Sequence, residues 1–105
     1  MMKIELNLSN KAEKQYKELK KKHQNEILST ISELIKDIGR NAEVHKKEFE
    51  NEEEYPEYGL GMPEPLKYDL SGYWSRRIDK KNRLVYRIEN KRIVIYQFYG
   101  HYSDK

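Results

Sequence analysis

The stretch Leu66-Lys67-Tyr68-Asp69-Leu70-Ser71-Gly72-Tyr73-Trp74-Ser75-Arg76-Arg77-Ile78 decides the fold, because apolar and polar residues alternate on either side of a Ser-Gly pair. A period of two puts successive side chains on opposite faces of a sheet, and Ser71-Gly72 supplies a turn. The pattern predicts strands over Leu66–Leu70 and Tyr73–Ile78. It recurs over Arg83–Ile88 and Ile93–Phe98, with Asp79-Lys80-Lys81-Asn82 and Glu89-Asn90-Lys91 as turns. Connections this short make the four strands antiparallel neighbours.

If the turns keep parity, Trp74, Ile78, Leu84, Tyr86, Ile88, Val94, Tyr96 and Phe98 share an apolar face. Ser75, Arg77, Arg83, Arg87, Gln97, Tyr99 and His101 then share the open one. Arg76 is the misfit on the apolar side, suited to a sheet edge or bulge.

What the apolar face packs against lies upstream. Ile4, Leu6 and Leu8 alternate, as in a short strand with one buried face. Asn10 with Glu13 reads as a capping box opening a helix, with Ala12, Tyr16 and Leu19 on its inner face and Lys20-Lys21-Lys22 in its last turn. After His23-Gln24-Asn25, a stronger helical stripe runs through Ile27, Leu28, Ile31, Leu34, Ile35 and Ile38, and Gly39 sits where a left-handed residue ends a helix. Periodicity then stops, and an acidic loop is expected over residues 41–61. The whole is an α+β domain: a short N-terminal strand, a two-helix hairpin, then a four-stranded antiparallel sheet with the helices on one face.

At 105 residues and 12.8 kDa the chain is expected to form one domain, too small to enclose a large substrate pocket, so a site has to be an open surface. Residues 67–105 carry ten Lys/Arg against four Asp/Glu, whereas residues 43–58 carry two Lys against seven Glu. A basic C-terminal part suits a polyanion, whose condensed counterions are released on binding; the bland alternative is a solvated basic face. The chain has no cysteine, which removes disulfides, zinc-thiolate sites and thiol nucleophiles. No apolar run is long enough for a bilayer and no signal peptide is legible, so a cytoplasmic, membrane-free protein is expected.

Cleaving RNA without a metal requires a base for the 2′-OH, cations for the crowded phosphorane and an acid for the departing 5′-oxygen. Glu64 stands between Pro63 and Pro65, which restrict its backbone at the entry to the sheet. Arg83, with Arg77 and Lys67, offers a cationic clamp, since a guanidinium fork matches phosphate. His101 is a residue type that titrates near neutrality. His23 and His45 lie in polar surroundings and receive no role. Read singly, each group is equally a solvated surface residue.

Taken together, Pro63-Glu64-Pro65-Leu66-Lys67, Leu70-Ser71-Gly72-Tyr73-Trp74-Ser75-Arg76-Arg77-Ile78, Arg83-Leu84-Val85-Tyr86 and His101-Tyr102 resemble the Txe/YoeB toxins of the RelE/ParE toxin–antitoxin superfamily. The resemblance implies a RelE-like microbial RNase fold and a metal- and cofactor-free mRNA endonuclease acting in the ribosomal A site. It also implies neutralisation by an acidic, YefM-like antitoxin, with a homodimer or toxin–antitoxin hetero-oligomer as the assembly. By position, Glu64 matches the family's general base, His101 its acid and Arg83 its transition-state arginine. Lys67 and Arg77 match supporting cations, and Tyr102 the tyrosine that shapes the site. Two departures stand out: Ser103-Asp104-Lys105 follow the His-Tyr pair, and the acidic segment 43–58 has no counterpart in compact members. The rival readings are a ParE-like gyrase inhibitor without catalysis and an inactive RNA- or antitoxin-binding module.

Overall fold

The computed structural model describes residues 5–45, 60–89 and 92–100, with backbone only for 41–45. Eight elements follow in order: β1 (Glu5–Leu8), α1 (Asn10–Lys21), α2 (Asn25–His45), β2 (Glu64–Pro65), a 3₁₀ turn (Tyr68–Leu70), β3 (Trp74–Arg77), β4 (Arg83–Glu89) and β5 (Arg92–Gln97). The fold class is the expected α+β, with one addition to the sheet. Its order is β1-β5-β4-β3-β2; the four later strands are antiparallel, and β1 joins as a fifth, parallel to β5.

Helix α1 starts one residue earlier than the capping box predicts. Ser9, not Asn10, is the N-cap: its hydroxyl accepts from Ala12 N at 3.0 Å and donates to Tyr96 O at 2.6 Å. A single side chain thus starts the helix and ties it to β5. Helix α2 does not stop at Gly39 but continues to His45, into the start of the expected loop. Gly39 is not among the positive-φ glycines, and Ile31, Leu34 and Ile38, all buried, hold that helix to the sheet. Such anchorage outweighs the roughly 1 kcal/mol that an interior glycine costs. The acidic residues 46–59 lie outside the described residues, as do Ile4, Asn90 and Lys91.

The core joins Ala12 and Leu19 of α1 and Ile31, Leu34 and Ile38 of α2 to Trp74, Leu84, Tyr86, Ile93, Ile95 and Phe98. Parity holds from β3 to β4, where Trp74 faces Tyr86, but inverts at β5, where Tyr86 faces Ile95 and Ile88 faces Ile93. The connection between β4 and β5 shifts the pairing by one residue, which moves every side chain to the opposite face. Ile93 and Ile95 therefore meet the helices, and Val94 and Tyr96, expected there, turn to the other side. A bulge between Val85 and Tyr86 restores Phe98 to the core.

The strand expected over Leu66–Leu70 is not formed. Pairing is confined to Glu64–Pro65, after which Tyr68, at φ 57°, turns the chain into the 3₁₀ turn. Leu66 and Leu70 are instead buried with Val85 in a small second core, flanked by Tyr73 and Tyr96, so the sheet face away from the helices is partly roofed. Strand β1 buries neither face: Leu6 and Leu8 are 45% and 36% exposed along an apolar groove that Leu28, Ile35 and Phe98 also line.

Candidate active site

Register gathers the predicted polar groups. Glu64 pairs with Ser75, Ser75 with Val85, and Val85 with Gln97, so one row of side chains on the face opposite the helices crosses four strands. Two residues further along β3, Arg77 pairs with Arg83 on that same face. Neighbouring strands lie about 4.8 Å apart and two residues span about 6.8 Å, which sets the Glu64 backbone roughly 8 Å from that of Arg77 and roughly 12 Å from that of Arg83. Glu64, Lys67 and Arg77 are exposed and Arg83 is half-buried. Ser75 and Gln97 share the face but are buried, so it is less open than parity alone implies.

The β3–β4 hairpin orients Arg83. Asp79 accepts from Asn82 Nδ2 at 2.9 Å, Asn82 N at 2.7 Å and Lys81 N at 2.8 Å, which closes the turn. Those bonds, led by the Asn82 side chain, hold the Asp79 carboxyl below the ordinary aspartate range. Arg83 Nη1 donates back to the carbonyls of Asp79 at 2.8 Å and Asn82 at 3.1 Å, so its guanidinium is fixed against the turn it follows.

The chain returns to this point at its far end. Arg83 N donates to Gly100 O at 3.1 Å, and Gly100 N donates to Asn82 Oδ1 at 3.1 Å. Gln97 Nε2 bridges the carbonyls of Arg83 and Gly100 at 3.2 and 3.1 Å, while Lys11 Nζ donates to its Oε1 at 3.2 Å. Gly100 has φ 102°, a backbone that favours glycine. His101 and Tyr102, with Ser103-Asp104-Lys105, lie outside the described residues; the residue before His101 is bonded directly to Arg83. Tyr99, expected on the open face, instead packs on the main core. Its hydroxyl donates to Glu18 of α1 at 3.4 Å, its carbonyl accepts from Gln15 Nε2 at 3.0 Å, and Phe98 N donates to Gln15 Oε1 at 2.8 Å.

Arg76 is neither at an edge nor at a bulge. It is wholly buried on the helix side, where Nε donates to the Tyr86 hydroxyl at 2.9 Å and Nη1 forms an ion pair with Asp37 of α2. Nη1 also donates to Leu60 O at 3.1 Å, and Asp37 accepts from Leu60 N at 3.0 Å. Burial by itself would raise the Asp37 carboxyl. The hydrogen bonds from Arg76 and Leu60 N, with the positive charges of Arg76 and Arg40, outweigh it, and the carboxyl lies below its ordinary value. Burial likewise works against the charged form of Arg76, and Tyr86 and Asp37 outweigh it, so that its pKa lies above the ordinary value.

Sequence reasoning missed the bonds from Gln97 to Arg83 and Gly100 and the buried pairing of Arg76 with Asp37. Only Arg76 left a trace, as a charge at an apolar position; an amide that satisfies distant carbonyls has no periodic signature. Among the described residues no three or more His, Asp or Glu side chains are grouped to hold a metal ion, and no helix is long and apolar enough to cross a membrane.

Known proteins share both the sequence and the fold. The Toxin YoeB of Streptomyces coelicolor is 45% identical over 76 residues, covering 72% of this chain and 74% of its own. A solved YoeB-YefM complex from Staphylococcus aureus matches at TM-score 0.73 and 29% identity, covering 97% of this chain and 100% of the other. A YoeB dimer from the same organism matches at TM-score 0.72 and 33% identity, covering 96% and 100%. The sequence profile described as "YoeB-like toxin of bacterial type II toxin-antitoxin system" matches residues 8–102. With nearly the whole chain matched and the register bringing Glu64, Arg77 and Arg83 to one face, this protein belongs to the YoeB-like toxin family.

Proposed function

We propose that this toxin is a metal-independent endoribonuclease that cleaves mRNA in the ribosomal A site. The observation that carries the reading is the pairing that sets Glu64 and the Arg77–Arg83 pair on one sheet face, with Gly100 bonded to Arg83 at the same place. In the proposed step, the Glu64 carboxylate takes the proton of the 2′-OH, and that oxygen attacks the adjacent phosphorus. Arg83, oriented by its bonds to the hairpin turn, meets the phosphorane with Arg77, and Lys67 adds charge from the start of the 3₁₀ turn. His101, one peptide beyond the tethered Gly100, protonates the 5′-oxygen as the P–O bond breaks, and Tyr102 shapes the pocket beside it. The products are a 2′,3′-cyclic phosphate and a 5′-hydroxyl.

The rest of the reading concerns partners. One YoeB neighbour is solved with YefM and another as a dimer, which supports a YefM-like antitoxin and a homodimer or hetero-oligomer for this chain; that the antitoxin is acidic is our proposal. We take residues 1–105 as one domain with an acidic insertion at about 41–61, and a cytoplasmic site of action follows from the ribosomal substrate.

The test adds purified, metal-stripped protein to ribosomes programmed with mRNA, with magnesium kept at the level that the ribosome itself needs and transition metals chelated. Cleavage by the wild type, and losses of about a hundredfold or more for Glu64→Gln, Arg83→Ala and His101→Gln, are expected. Full cleavage by all three variants refutes the site. No cleavage by wild type, with inhibition of gyrase instead, favours the ParE-like alternative.

A further inference from the structure

Asp37 and Arg76 form an ion pair in which Arg76 is wholly buried and Asp37 largely so. A buried ion pair roughly breaks even against well-packed apolar residues of the same volume, because the cost of desolvating both ions offsets their attraction. Here the bargain is worse, since Arg76 Nη2 is buried without a hydrogen-bond partner among the described residues. Stability alone does not account for Asp37 and Arg76.

Geometry does. Both polar groups of Leu60 are read by the pair: its N–H donates to Asp37 Oδ2 at 3.0 Å, and its carbonyl accepts from Arg76 Nη1 at 3.1 Å. The next residue is fixed by the next position of β3, because Arg77 N donates to Gly61 O at 2.6 Å. Gly61 holds φ 78°, and a Cβ there would stand 2.9 Å from Arg77 O and 2.9 Å from Leu34 Cδ2, so the contact is closed from both sides. Pro63 is buried, and Glu64 then pairs with Ser75, the residue before Arg76. Three consecutive residues of β3 thus hold Glu64, Leu60 and Gly61 respectively, and α2 supplies the counter-charge that locks the middle one.

We propose that Asp37 and Arg76 form a positioning latch for Glu64, fixing where the Leu60–Glu64 segment enters the sheet relative to Arg77 and Arg83. Neither residue touches the RNA. The inference rests on the acid–base role proposed for Glu64.

The experiment compares wild type with Asp37→Asn, which keeps the shape and removes the charge, on programmed ribosomes under single turnover. It also follows amide hydrogen exchange of Leu60 and Arg77 in the free protein. Ribosome affinity within about twofold of wild type, a cleavage rate constant lowered about tenfold to a hundredfold, and matching loss of protection at both amides are expected, since a displacement of about 1 Å has effects of this size. Should Asp37→Asn fail to fold, Asp37→Glu keeps the charge, moves the carboxylate by one methylene and reads the same split with a smaller fall. A folded variant with a lower melting temperature and an unchanged cleavage rate overturns the proposal. Glu64→Gln in the same assay separates the two claims: if it cleaves at full rate, the acid–base reading fails, and the exchange data still judge the latch.

Discussion

The side-chain amide of Gln97, fully buried, donates to the backbone carbonyl of Arg83 at 3.2 Å. Because the same nitrogen also reaches Gly100 O, at 3.1 Å, the last strand and the first residue of β4 are joined through one side chain. Gln97→Leu keeps the volume, takes the amide's bond from the Arg83 carbonyl and leaves Gly100 O with only the bond from Arg83 N. A destabilisation of about 1–3 kcal/mol is expected in urea melts, together with a larger proportional loss of RNA cleavage than of ribosome binding.

Acid should weaken the Asp37–Arg76 pair, and only below the ordinary carboxylate range. The Asp37 carboxyl is depressed in the folded state, so folding favours its ionised form. Its stabilisation is complete above the ordinary aspartate range, near pH 4, and is lost as pH falls through the lower folded value. Unfolding free energies from pH 7 down to pH 3 should fall more steeply for the wild type than for Asp37→Asn, the two curves converging at the acid end. Parallel curves would contradict the assignment.

Gly61→Ala introduces a Cβ where Arg77 O and Leu34 Cδ2 each stand at 2.9 Å, on a residue with φ 78°. Backbone strain and overlap add, and a loss of about 2–4 kcal/mol is expected. In a domain of this size that lowers Tm by roughly 8–32 °C, at about 4–8 °C per kcal/mol. Differential scanning calorimetry reads it directly, and a shift under a few degrees would show that the turn relaxes freely.

Ser9→Ala removes both the cap of α1 and the 2.6 Å bond to Tyr96 O. The cap alone is worth about 1 kcal/mol, and the second bond adds about another. Asn10→Ala, at the position the sequence pattern favoured for the cap, should change the melt by less than half as much. Equal effects would reverse the assignment of the cap.

Much of this fold is written in local chemistry. The stripe from Ile27 to Ile38, the period-two runs at Trp74, Leu84 and Ile93, and the Asp79–Asn82 turn all report short-range geometry and reappear where expected. What went unread depends on partners distant in sequence. The phase of β5 is set by a one-residue shift in a connection, which no count of apolar positions reveals. Arg76 has apolar neighbours on its face, and only Asp37, 39 residues upstream, makes its burial intelligible. Glu64 reached the site by analogy with known toxins; the register with Ser75 is the physical reason it sits there. His101 and Tyr102 rest on that analogy together with the tether at Gly100.

Strand β1 lies beside β5, and Ser9 N donates to Ile95 O at 2.9 Å across 86 positions of sequence. For a protein synthesised from its N-terminus, this sets a schedule. The first strand has no neighbour until the fifth exists, and β4 has none on that side either. Contacts of such long range are slow to form. A nascent chain that has not reached Arg92 lacks the strand joining the two halves of the sheet and the residues that hold Arg83 from behind. Closure of the sheet, and with it the backing of Arg83, thus waits on the synthesis of β5.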